Sequence, residues 1–115
     1  MDKPHNADRF AEMFKLDVDA SLRMYEENPA TTMVGILLGN ANLSDDQRSL
    51  VSEALRTALY DTIYTALLAL DGAASLDGVQ QPYSILDEDG NSVFSSGDLE
   101  VAAYEHFHED ASDDA

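Results

Sequence analysis

The chain has no cysteine and no tryptophan, and only 3 prolines and 6 glycines in 115 residues. Without cysteine there are no disulfides, no thiolate zinc sites and no thiol nucleophile. A reducing, cytoplasmic compartment is the expected setting. Lysine is nearly absent as well: Lys3 and Lys15 are the only two, beside four arginines. Long apolar runs are missing, and the most hydrophobic windows, MVGILLG and YTALLAL, fall far short of a membrane span. The first ten residues, MDKPHNADRF, carry acids and no apolar stretch, so no signal peptide is expected.

What is abundant is negative charge. Aspartate and glutamate number 23 against 6 lysines and arginines, a net of −17. The imbalance is uneven along the chain. Residues 1–70 hold 11 acids and all 6 bases, whereas residues 71–115 hold 12 acids and no base. Phosphate binding needs Lys and Arg to displace counterions, so nucleic acid and anionic membranes are excluded as partners. A basic protein would be attracted, and its encounter accelerated at low salt. The same composition also suits plain solvation or adaptation to high salt.

The length is that of one domain, expected over residues 1–110, with 111–115 as a disordered acidic tail. An apolar content of 44% supports one core. Asn6 is placed to cap a first helix whose apolar stripe is Phe10, Met13, Phe14, Val18, Leu22 and Tyr25. Asn28-Pro29 reads as the start of a second helix over about 29–38. It is apolar on most sides and expected deep in the core, with Gly39-Asn40 as a left-handed cap. Ser44 and Gln47 have the spacing of a capping box, and the helix behind them runs to about Leu70, where Asp71-Gly72 stops it.

Pro82-Tyr83-Ser84-Ile85-Leu86, then Asp87-Glu88-Asp89-Gly90, then Asn91-Ser92-Val93-Phe94 predicts a β-hairpin over about 83–94. A last helix over about 98–109, capped by Ser95, Ser96 or Asp98, turns Leu99, Ala102, Ala103 and Phe107 inward, with Tyr104 as a further candidate for that face. The expected fold class is α+β, mainly α: a bundle of about four helices with the hairpin before the last one.

No catalytic motif is present, so no enzymatic activity and no cofactor is expected. The Asp87–Gly90 stretch fails the EF-hand register, since Ile85 and Ser96 would occupy the first and twelfth ligand positions. The nearest approach to a metal site is Glu105-His106-Phe107-His108-Glu109-Asp110, where helical spacing pairs Glu105 with His108 and His106 with Asp110. One such motif is too few for a di-iron bundle, and a structural site needs three or four ligands. The metal assignment is therefore none, with a metal-binding role for His106 and His108 kept as an alternative.

The leading expectation is a non-enzymatic binding protein for a basic partner, in concrete terms a bacterial immunity protein or antitoxin. Its partner-binding acids are expected on the hairpin turn and last helix: Asp87, Glu88, Asp89, Glu100, Glu105 and Glu109. The other alternative is a structural or regulatory homodimer with merely solvating acidity. Its contact would use Tyr60, Tyr64 and Leu68 on the long third helix.

Overall fold

Asn6 begins the first helix as its side chain suggests: Oδ1 accepts the Arg9 N–H at 2.8 Å, and α1 runs Ala7–Glu27. A computed structural model of the chain describes residues 6–109. The 111–115 tail, His5 and Asp110 lie outside the described residues. Within them are four α-helices: α1, α2 (Met33–Asn40), α3 (Asp45–Leu70) and α4 (Asp98–Tyr104). A 3-10 turn at Pro29–Thr31 precedes α2, and a π-helical turn at Glu105–Glu109 extends α4. No helix is long and apolar enough to cross a membrane among the described residues.

The contacts divide the chain into two units, Leu16–Tyr60 and the residues on either side of it. In the inner unit, Pro29 starts the 3-10 turn and not α2. The cap of α2 is Thr32, whose Oγ1 accepts the Gly35 N–H at 2.9 Å. Gly35 is where α2 lies against that turn, and a Cβ there would sit 2.2 Å from the Pro29 carbonyl oxygen. Gly35→Ala must push two pieces of backbone apart. An expected cost of about 1–3 kcal/mol, typical of overpacking, is checked by urea denaturation.

Contrary to the sequence expectation, α2 is not deep in a core. Gly35 is its only buried residue, and Met33, Ile36 and Leu37 are exposed. Its left-handed residue is also displaced, to Asn42 at φ 55°, beyond Gly39-Asn40. The capping box of α3 forms as read: the Gln47 N–H donates to Ser44 Oγ at 3.2 Å and the Ser44 N–H to Gln47 Oε1 at 2.9 Å.

In the outer unit the core consists of Ala7, Ala11, Leu67, Ala69, Val93, Phe94, Leu99, Ala102, Ala103 and Phe107. Half of these are alanines, which let helix surfaces approach closely. Phe10 stacks on Phe94 at 6.3 Å and meets Phe14 edge-on at 5.3 Å.

The β-hairpin at 83–94 is not present, and no strand occurs among the described residues, so the expected α+β class is corrected to a helical fold. The chain does reverse at 87–91. Asp87 Oδ1 accepts the N–H groups of Asp89 and Asn91, both at 2.9 Å, and the Gly90 N–H reaches the Asp87 carbonyl. A single bridge, Leu86 to Ser92, is all the ladder that follows.

Two competing demands prevent more. Val93 and Phe94 are consecutive and both buried, which a hairpin strand with one face in solvent does not allow. The other arm is claimed elsewhere: Pro82 bridges Asp71, and the Tyr83 N–H donates to the Leu70 carbonyl at 2.9 Å. A tight two-residue reversal does occur, one loop earlier, at Asp77-Gly78. Both residues have positive φ there, as the favoured hairpin turn requires, and Leu76 and Val79 exchange both backbone hydrogen bonds.

Candidate functional site

Asp71 positions the last helix. It is 7% exposed, the one buried charged residue among the described residues. Its Oδ1 accepts the Gly97 N–H at 2.7 Å and its Oδ2 accepts the Glu100 N–H at 2.8 Å. Gly97, at φ 92°, is the N-cap of α4 and has no side chain to do this work. One carboxylate from the end of α3 thus performs both halves of a capping box, serving the cap residue and the third helical residue. Ser95, Ser96 and Asp98, the expected caps, do not.

With its start held in this way, α4 and the π-helical turn after it carry Glu100, Tyr104 and His108. They face Tyr64 of α3. The His108 ring meets Tyr64 edge-on at 4.3 Å and lies 5.5 Å from Tyr104. Above these rings is an open cleft of about 270 Å³ lined by Tyr64, Glu100, Val101, Tyr104 and Glu105. The space is large enough for one side chain or a small cation. Glu100, Val101, Tyr104 and Glu105 are exposed, while Tyr64 is half-buried.

Burial, and then the negative charge of Glu100 and the neighbouring Tyr104, raise the Tyr64 phenol above its ordinary pKa of 10.0. The folded chain therefore keeps this proton where the unfolded chain gives it up. Stability from Tyr64 is whole below pH 10 and declines as pH rises from there through the raised value. Denaturant titrations between about pH 8 and pH 11 are expected to show a steeper alkaline loss for the native chain than for Tyr64→Phe.

Of the six expected partner-binding acids, Glu100 and Glu105 come together at this cleft. Glu88 and Asp89 are exposed on the 87–91 turn, while the half-buried Asp87 holds that turn together. Glu109 ends the π-helical turn. Of the three expected dimer-contact residues, Tyr60 is 5% exposed. Its hydroxyl donates to Asp19 Oδ1 at 2.6 Å, and the Arg56 guanidinium lies 5.0 Å over its ring. Tyr64 lines the cleft, and Leu68 is half-buried.

The two histidines do not converge. His106 Nε2 is 2.9 Å from Asp8 Oδ1 at the start of α1, and His108 packs on the tyrosines. Among the described residues no group of three or more His, Asp or Glu side chains is placed to hold a metal ion.

Tyr104 and Val101 were not among the expected site residues. The signal for Tyr104 was available, since it is four residues from both Glu100 and His108. No protein-family model matches the sequence, and no curated protein or solved structure matches it either.

Proposed function

We propose that this chain is a non-enzymatic, cytoplasmic binding protein that engages a basic protein, with the cleft of the last helix as its point of contact. An immunity protein or antitoxin that masks a basic toxin is the concrete form. The observation that carries the reading is the cleft itself: two tyrosine rings beside two exposed carboxylates, in a part of the chain with no base. A guanidinium or ammonium group is the complementary ligand. It is drawn to the face of an aromatic ring within about 6 Å and to carboxylates beside it. The acids at Glu88 and Asp89 add to the same negative field, which steers encounter more than it sets final affinity.

The test is capture of a partner by the immobilised chain, followed by measured binding of that purified partner to variants. A partner with a strongly basic surface is expected, bound less tightly as salt rises. Glu100→Lys with Glu105→Lys is expected to weaken binding by about a hundredfold or more, and Tyr104→Ala by about tenfold. Charge reversal at Glu26 and Glu27 on α1 serves as the control and leaves binding within about threefold. Equal losses from both pairs, or an unchanged affinity in the cleft variants, would sink the proposal.

A further inference from the structure

The second surface of interest is on α2, far in character from the acidic cleft. Residues 28–44 contain no Asp, Glu, Lys, Arg or His, a run of 17 uncharged residues in a chain of net charge −17. Inside that run, Met33, Ile36 and Leu37 are 68%, 42% and 60% exposed. Steps of three and four residues put them on one helix face, continued by Asn40 one turn later. The opposite side of α2 is the one closed against Pro29 at Gly35. An apolar face left open on a soluble-length helix marks an interaction site.

The charge pattern says what covers it. Two copies of this chain repel wherever their acids approach, and residues 28–44 are the longest stretch where they do not. A basic partner gains nothing electrostatic from a neutral face. A like neutral face is the complement, and a two-fold contact pairs a patch with itself.

We infer that α2 is the contact through which two copies of this chain associate, with Met33, Ile36 and Leu37 of each packed against the same helix of the other. In an antiparallel crossing Met33 lies opposite the partner's Leu37. The face of one eight-residue helix is smaller than the ~800 Å² per partner of a stable interface, so the dimer is concentration-dependent, with a dissociation constant in the micromolar range or weaker. This inference does not rest on the proposed cleft function, and the two respond oppositely to salt. Screening weakens attraction to a basic partner but relieves repulsion between two copies of charge −17.

Sedimentation equilibrium of the full chain from about 10 µM to about 1 mM, at about 0.1 M and about 0.5 M salt, tests it. A dimer fraction that grows with both concentration and salt is expected. Leu37→Glu and Met33→Glu, at exposed positions where the monomer fold tolerates a charge, are expected to shift the dissociation constant at least about tenfold toward monomer. Leu76→Glu, at an exposed apolar position outside α2, leaves it unchanged. A monomer at the highest concentration in both salts overturns the inference, as does a dimer that either α2 variant leaves intact.

Discussion

Asp71→Ala is expected to destabilise the fold by about 2–4 kcal/mol, since it removes two hydrogen bonds to a charged acceptor and strands two part-buried N–H groups. Asp71→Asn keeps one acceptor oxygen and is expected to lose about half as much. Against a typical total of about 5–15 kcal/mol, the alanine variant forfeits a large share of the stability. Urea denaturation at neutral pH checks both. A loss below about 1 kcal/mol for Asp71→Ala would mean that solvent satisfies the start of α4 as well as the carboxylate does.

Phe107→Ala is the second large effect, at about 3–5 kcal/mol. Phe107 is 2% exposed and shares the innermost layer with Leu67 and Leu99, so its removal opens a cavity that rigid helix backbones close poorly. Phe107→Leu keeps part of the volume and is expected to cost clearly less. The two series separate by cause. Asp71 acts through hydrogen bonds at one helix end, whereas Phe107 acts through apolar burial. The fold therefore tolerates Phe107→Met better than Phe107→Ala by about 1–2 kcal/mol, while no apolar residue rescues position 71.

The features legible in the sequence were those in which cause and effect are neighbours. Asn6 bonds a residue three along, Ser44 and Gln47 bond each other, and Gly72 takes the positive φ that ends α3. The inward face of the last helix followed from spacing for Leu99, Ala102, Ala103 and Phe107, which are buried, but not for Tyr104, which is 48% exposed. What was not legible depended on partners far along the chain. Nothing local marks Asp71 as the cap of a helix 26 residues away, and Tyr60 meets an aspartate 41 residues back.

The hairpin failed for the same reason. Asp89-Gly90 has the right letters, but burial of Val93 with Phe94 and the claim of α3 on Pro82 and Tyr83 overrode them. An apolar stretch such as MVGILLG reads as core because periodicity cannot say whether the surface that covers it belongs to the same molecule. The candidate site was half readable. Glu100 and Glu105 were named from charge, whereas their grouping with Tyr64 required α3 and α4 to be brought side by side.

The Asp71 clasp also sets how often the cleft exists. Glu100, Val101, Tyr104 and Glu105 all sit on α4 or its π-helical extension, so release of α4 from Asp71 dissolves the site while α3 remains helical. The amides of Gly97 and Glu100 report that event directly, because they exchange with solvent only when the clasp opens. Their protection factor measures the fraction of molecules competent to bind, and a bound ligand raises it in proportion to its concentration over its dissociation constant.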